Sequence, residues 1–143
     1  MELKTKYHGV RHYDEKDVII FKNGIPGLEN LKRYIIFPAE ENKLFYILQS
    51  VEDLSIGLVL VSPFNIMKDY EFKLDGDKVK ELGINDSKDV LVLNTVTLSS
   101  KIENITANMK APLVININKK IGEQIILDNE NYLIKYPIFK EGA

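Results

Sequence analysis

Short apolar runs separated by turn residues dominate the chain, and most are rich in β-branched or aromatic side chains. Runs of roughly four to eight such residues between Gly, Pro, Asn and Asp are typical of β-strands. The pattern predicts strands at Leu3–His8, Asp17–Lys22, Arg33–Phe37, Leu44–Gln49, Ile56–Val61, Tyr70–Leu74, Val90–Leu98, Leu113–Asn118 and Glu123–Leu127.

The strands differ in how their apolar positions are spaced. Tyr70–Leu74 alternates apolar and charged residues, as a strand with one solvated face does. Gly57–Val61 and Val90–Leu93 are apolar on both faces, so we expect them to be covered on both sides.

One short helix is predicted near Lys78–Leu82. Asp75 and Asp77 supply capping carboxylates, and Gly83 stands where a left-handed residue ends a helix. No strand–helix–strand rhythm is present, which argues against a doubly wound fold. The expected fold class is all-β: a small antiparallel barrel-like domain with one short helix, with residues 1–143 forming a single domain.

Ile25-Pro26-Gly27-Leu28 has the pattern of a type II turn, with Pro at the second position and Gly at the third. We therefore expect Gly27 at positive φ. Glu29, which directly follows this turn, is a candidate partner contact.

Composition narrows the functional classes. The formal net charge of -2 argues against a protein that mainly grips a phosphate backbone or a membrane surface. The chain has no cysteine, which excludes disulfides and thiolate chemistry. The N-terminal residues lack the pattern of a secretory signal, so a cytoplasmic location is the expectation.

The two histidines, His8 and His12, are the obvious candidates for metal binding or acid–base catalysis. On a strand, residues four apart lie about 13 Å from each other, too far to share one ion. No G-x-S-x-G motif and no glycine-rich phosphate loop is present. The sequence thus predicts no catalytic residues, no metal and no cofactor.

Two polar segments are unusual for scaffolding alone. Val51, Glu52 and Asp53 end an apolar strand, and Asn108 with Met109 lies in a polar connection before another. Such side chains either tie down their own loops or present a fixed surface to a partner. The residues by themselves leave both alternatives open.

Taken in order, nine stretches resemble the FliW flagellar assembly factor family, and together they cover nearly the whole chain. They are TKYHG (Thr5–Gly9), FKNGIPGLE (Phe21–Glu29), FYILQSVED (Phe45–Asp53), DYEFKL (Asp69–Leu74), ELGI (Glu81–Ile84), DVLVL (Asp89–Leu93), TANMKAPLVIN (Thr106–Asn116), QIIL (Gln124–Leu127) and NYLIKYPI (Asn131–Ile138). Leu28, Leu54 and Met109 depart mildly from the family pattern.

The resemblance implies a barrel-like, non-enzymatic regulator that binds newly made flagellin in the cytoplasm. It implies a second partner, the translational regulator CsrA, which represses flagellin synthesis. It further implies that, when export draws flagellin down, the freed regulator binds CsrA away from its RNA-binding face and translation resumes. Neither direct nucleic-acid binding nor a membrane is implied.

The resemblance also implies that the partner, flagellin, has chain ends that are apolar along one stripe. A protein that binds this stripe needs an apolar patch with a polar rim. The predicted partner-binding residues are Glu29, Val51, Glu52, Asp53, Asn108, Met109 and Asn116. Met109 suits a surface that adapts to a helix. Glu52, Asp53 and Asn108 are the leading contacts, whereas Ile115 is expected in the core.

Two other classes remain as alternatives. A small β-barrel enzyme or ligand-binding protein would need a concave pocket with convergent polar groups. An RNA-binding barrel rests on analogy of fold alone.

Overall fold

A computed structural model describes residues 1–139, which form eleven strands and one α-helix. The strands are β1 (Glu2–Lys4), β2 (Val10–His12), β3 (Ile19–Ile20), β4 (Arg33–Pro38), β5 (Phe45–Ser50), β6 (Gly57–Val61), β7 (Val90–Thr97), β8 (Thr106–Ala107), β9 (Leu113–Asn116), β10 (Ile121–Gln124) and β11 (Tyr136–Pro137). The helix α1 is Gly76–Glu81, and short 3-10 helices span Glu15–Asp17, Pro63–Asn65, Ser87–Asp89 and Ile102–Asn104.

Seven strands close into a barrel. Their order is β7, β6, β5, β4, β3, β10 and β9, and β9 pairs back onto β7. Every neighbouring pair in the ring is antiparallel except β3 with β10, which is parallel. Closure gives every strand of the ring a ladder partner on both sides along at least part of its length. The all-β, barrel-like prediction is confirmed.

The barrel interior is filled by apolar side chains. Two fully buried members of this cluster, Phe21 and Tyr34, meet edge to face with ring centroids 5.5 Å apart. The other buried members are Ile19, Ile25, Leu48, Leu60, Leu93, Leu113 and Ile115. Ile115 is therefore a core residue, as the sequence predicts.

A second apolar cluster covers the outer face of the wall. Neighbouring residues of β6 divide between the clusters, because Leu60 packs inside and Val61 packs outside. Tyr70, Met109 and Tyr132 bring the connection after β6, the loop after β8 and the C-terminal segment onto this face. The prediction that Gly57–Val61 is covered on both sides is confirmed at these two positions.

The predicted strand Tyr70–Leu74 is wrong. Its side chains alternate between more buried and exposed positions, but the segment has no ladder partner among the described residues. The sequence also misses β2, β8 and β11, which are only two or three residues long. Their pairing depends on distant segments rather than on their own pattern.

The helix and the turn follow the predicted chemistry. The Asp75 carboxylate accepts a hydrogen bond from the Lys78 N–H at 2.9 Å, and Gly83 has φ +63. Gly27 has φ +89, and the Leu28 N–H donates to the Ile25 C=O at 2.7 Å. This is the positive φ that a type II turn requires at its third position.

Candidate partner-binding surfaces

The Glu52 carboxylate lies just beyond the end of β5 and is exposed. One oxygen accepts hydrogen bonds from the Lys32 N–H at 2.6 Å and the Arg33 N–H at 2.9 Å. These two bonds hold the pKa of Glu52 below its usual value. Glu52 thus joins its own loop to the start of β4.

Asp53 bonds within its own loop. Its carboxylate accepts from the Ser55 hydroxyl at 2.7 Å and the Ser55 N–H at 3.0 Å, and these bonds lower the pKa of Asp53. The adjacent Val51 is half-buried against Leu3 and Ile35. Asp53 itself is exposed, while Val51 belongs to the packing between the first hairpin and the wall.

Glu29 is also exposed and reaches back to its turn. Its carboxylate accepts the Gly27 N–H at 2.9 Å, which lowers the pKa of Glu29. The loop of Glu29 runs into Lys32, whose N–H is held by Glu52. We call Glu29, Glu52 and Asp53, with their loops, the acidic loops.

Asn108 and Met109 belong to a different hydrogen-bond network. The Asn108 side-chain oxygen accepts the N–H groups of Lys110 and Ala111, each at 3.1 Å. Met109 is 0% exposed, and its C=O accepts the Tyr70 hydroxyl at 2.7 Å. The expectation that Met109 lies on an adaptable surface is wrong, because the outer apolar cluster encloses it.

Asn116 is buried rather than part of a polar rim. Its side-chain NH₂ donates to the C=O of Leu82 at 2.8 Å and of Gly83 at 3.2 Å, at the end of α1. Its side-chain oxygen accepts the N–H groups of Asn118 and Lys119. Asn116 therefore fastens the helix end to the turn between β9 and β10, which explains why a polar residue is buried there.

An apolar groove of about 670 Å³ lies beside β7, and we call it the β7 groove. Its walls come from the end of β6, the segment 70–74, α1 and the first half of β7. The lining residues are Ser62, Phe64, Tyr70, Glu71, Phe72, Lys73, Leu74, Val79, Ile84, Ser87, Val90, Leu91 and Val92. The Met109 C=O accepts the Tyr70 hydroxyl, and the Asn116 side chain donates to the C=O of Leu82 at the end of α1. Two of the predicted partner-binding residues therefore support the walls of the β7 groove and do not line it.

A second groove of about 710 Å³ lies along the connection between β1 and β2, and we call it the hairpin groove. Its lining residues are Tyr7, His8, Gly9, Val10, Arg11, Ala39, Glu40, Glu41, Asn42, Phe45, Ile47, Val59 and Leu98. Tyr7 is 68% exposed, Val10 53% and Leu98 57%. The sequence analysis did not predict this site. Its available signal was the pair of apolar residues Tyr7 and Val10, which lie on either side of His8 and Gly9.

Charged groups form one side of the hairpin groove. The Arg11 guanidinium lies 4.0 Å from the centroid of the Phe37 ring and 3.2 Å from the Glu40 carboxylate. Burial lowers the pKa of His8, and the neighbouring Arg11 lowers it further. Both effects favour the neutral form of the His8 imidazole.

Residues 1–139 contain no group of three or more His, Cys, Asp or Glu side chains arranged to hold a metal ion. Across the same residues, we find no helix with the length and apolar character needed to cross a bilayer.

Together these features define a small closed β-barrel with a filled interior and open grooves on its outer wall. The FliW protein family matches residues 2–138, and the chain belongs to that family. The resemblance inferred from the sequence is thereby confirmed.

Individual relatives agree with this assignment. The flagellar assembly factor FliW of Clostridium kluyveri is 59% identical over 140 residues, covering 98% of this chain and 97% of the relative. That of Clostridium botulinum is 57% identical over 143 residues, the full length of both chains. A crystal structure of the flagellar assembly factor FliW superimposes with a TM-score of 0.90 and 38% identity over both whole chains.

Proposed function

We propose that this flagellar assembly factor binds flagellin in the cytoplasm and antagonises CsrA, so that repression of flagellin translation is relieved. It acts by binding and without catalysis. Flagellin occupies the factor until export removes it, and the freed factor then binds CsrA. The supporting structural observation is the hairpin groove, which brings exposed apolar side chains together with charged and polar groups.

The hairpin groove suits the apolar stripe of an amphipathic helix. Tyr7, Val10 and Leu98 offer exposed apolar surface, while Arg11 and Glu40 lie at its polar side. A helix with its side chains is about 10 Å across, and such helices commonly place apolar anchors into grooves of this kind. Specific interfaces usually combine apolar and polar groups in this way. We assign the flagellin chain end to this groove.

The acidic loops supply a second contact surface in this proposal. Glu29, Glu52 and Asp53 are exposed, and their hydrogen bonds keep each pKa below its usual value. All three therefore carry negative charge at neutral pH. Val51 supports this surface from below, whereas Asn108, Met109 and Asn116 act indirectly by holding loops and groove walls.

The groove assignment is tested by Val10→Glu, with Ile117→Glu as the matched control. Both residues are exposed apolar side chains, at 53% and 40%, but Ile117 does not line the hairpin groove. Calorimetric titration with monomeric flagellin should show at least tenfold weaker binding for Val10→Glu, about 1.4 kcal/mol, and little change for Ile117→Glu. Equal binding by both variants would place the flagellin contact elsewhere.

The acidic loops are tested by Glu52→Ala and Asp53→Ala, and Asn108→Ala, outside these loops, is the comparison. Thermal unfolding and binding to flagellin and to CsrA are measured for each variant. A contact role predicts weaker binding at unchanged unfolding temperature for Glu52→Ala and Asp53→Ala. If Asn108 stabilises its own loop, as its hydrogen bonds to Lys110 and Ala111 indicate, Asn108→Ala should lower the unfolding temperature. Normal binding of both partners by folded Glu52→Ala and Asp53→Ala would reject the acidic loops as a contact.

The regulatory step is tested in a cell-free translation mixture with a flagellin message and enough CsrA to repress it. Adding this protein should restore flagellin synthesis, and adding purified monomeric flagellin beforehand should prevent the restoration. If synthesis stays repressed at every concentration of the protein, antagonism of CsrA is wrong even where flagellin binding holds.

A further inference from the structure

The edge of β7 that faces β6 is open along part of its length. The β6–β7 ladder consists of two pairs and ends at Val61↔Asn94. In the continuing register the residue opposite Val92 would be Pro63, which has no N–H to donate. The Pro63 C=O accepts from Ile66 and Met67 at 3.1 and 2.9 Å instead. The chain therefore leaves the ladder at this point, and Val92 has no ladder partner on the β6 side.

The backbone of Val92 points toward this open side. The Asp89 C=O accepts the Ile117 N–H, and the Thr95 C=O accepts the Asn108 N–H, each at 2.9 Å, so odd-numbered residues face β9 and β8. Adjacent residues of a strand direct their backbone groups to opposite edges. The β6–β7 ladder ends before Val92, and among the loop and turn hydrogen bonds of residues 1–139 none involves the N–H or the C=O of Val92.

The opposite wall of the β7 groove is the segment Tyr70–Leu74, which has no ladder partner among the described residues. Tyr70–Leu74 alternates in burial along its length. The Tyr132 hydroxyl accepts the Glu71 N–H at 3.1 Å and donates to the Glu71 C=O at 2.8 Å, which anchors its first half. Among the described residues, the backbone groups of Phe72 and Lys73 have no partner.

We propose that the β7 groove binds an extended peptide segment of a partner protein, which adds as a strand along the Val92 edge. An extended backbone is the group that offers N–H and C=O at strand spacing, whereas a helix has already paired its own. The apolar lining, with Phe72, Val79 and Val92, selects a segment with apolar side chains at alternate positions. This site differs from the hairpin groove in place and in the conformation it accepts.

The experiment uses a synthetic peptide as the probe and does not involve flagellin or CsrA. The probe is a fluorescently labelled, end-capped heptapeptide, Lys-Val-Thr-Val-Thr-Val-Lys. The matched probe carries N-methyl groups on alternate backbone nitrogens, which removes its ladder donors on one edge and leaves its side chains unchanged. Fluorescence anisotropy measures binding to the full chain, and nuclear magnetic resonance follows hydrogen exchange of the Val92 N–H.

Two variants separate backbone from side chain. Val92→Pro removes the open N–H, and Val92→Ala keeps it but removes apolar contact; edge proline is tolerated where no ladder bond is lost. We expect saturable binding of the unmodified probe, slower exchange at Val92, and at least tenfold weaker binding by Val92→Pro than by Val92→Ala. The N-methylated probe should also bind at least tenfold more weakly.

Absence of saturable binding up to about 1 mM probe overturns the proposal. So does equal binding of the two probes, or binding that leaves exchange at Val92 unchanged. If Val92→Pro does not fold, comparison of the two probes on the unaltered protein decides alone. Because neither probe is a proposed partner, these results are independent of those for flagellin and CsrA.

Discussion

The acidic loops and the loop 106–112 have similar sequence character but different places in the fold. Each puts polar residues next to a strongly apolar strand. In the first, Glu52 and Asp53 stay exposed and bond to backbone N–H groups. In the second, Met109 is fully buried and its C=O is held by Tyr70. The difference comes from the segments that cover the loops: the connection after β6 and the C-terminal segment pack over Met109.

The comparison shows that a polar loop stays exposed only where no segment from elsewhere in the chain packs over it. Glu52 meets one neighbouring loop at its edge, so its charge remains in water. Asn94 donates to the Asn108 C=O at 2.7 Å, and Tyr70 bonds to the next residue, so that loop is enclosed on two sides. We therefore expect changes in the two regions to affect different measurements, stability in one and binding in the other.

Met109→Ala should have the largest effect on stability. The side chain is fully buried in the outer cluster, and truncating a buried Met to Ala costs about 2–5 kcal/mol through lost contacts and a residual cavity. Denaturant unfolding followed by circular dichroism measures this loss. Val51→Ala, at a half-buried position, is the control and should cost less. Equal losses would contradict the contrast between the two regions.

Tyr70→Phe should rank second. The change removes the hydroxyl that donates to the Met109 C=O at 2.7 Å and leaves that buried acceptor without this donor. An unsatisfied buried polar group costs about 1–3 kcal/mol. Tyr132→Phe, which loses the hydroxyl bonded to Glu71, is a useful companion variant. No change in unfolding free energy for Tyr70→Phe would mean that this bond does not stabilise the loop 106–112.

Gly27→Ala tests the turn that carries Glu29. Gly27 has φ +89, and an added Cβ would meet nothing within 4 Å, so the cost is conformational rather than steric. We expect a loss of about 1 kcal/mol in unfolding free energy. Gly76→Ala is the control, because its Cβ also meets open space but its φ is not in the left-handed region. A Gly76→Ala loss as large as that of Gly27→Ala would remove the argument from φ.

Glu52→Gln should have the smallest effect on stability, below about 1 kcal/mol, because the exposed carboxylate is screened by solvent. The folded-state pKa of Glu52 is lowered, so its contribution is present above the unfolded-state pKa and is lost as pH falls through the folded-state value. The difference in unfolding free energy between Glu52→Gln and the unaltered protein should therefore shrink as pH falls from neutral to below about 4. A difference that is constant with pH would contradict the assignment.

Local chemistry was predictable where one short segment decides it. The capping of α1 by Asp75 and the positive φ of Gly27 and Gly83 follow from steric and hydrogen-bonding rules that act over a few residues. The β4, β5 and β6 strands were predicted because their apolar runs are long enough to show a pattern. The family also follows from sequence, because the matching stretches extend over most of the chain.

The candidate surfaces were less predictable for a physical reason. The hairpin groove needs β2, which pairs with β1 through only three residue pairs and has little pattern of its own. The open edge at Val92 needs the register of β6 with β7, together with the turn at Pro63. Register is a property of two segments, and neither one contains it alone.

The sequence by itself determined the all-β class, the capped helix, the Gly27 turn and the family. Only the tertiary structure decided that Met109 and Asn116 are buried, that Glu52 stays in water, and that Tyr70–Leu74 has no strand partner. Helix caps and turns depend on atoms within a few residues, so the sequence contains their cause. Burial and edge pairing depend on which distant segments pack against a given residue, and this is set by the strand order of the whole barrel.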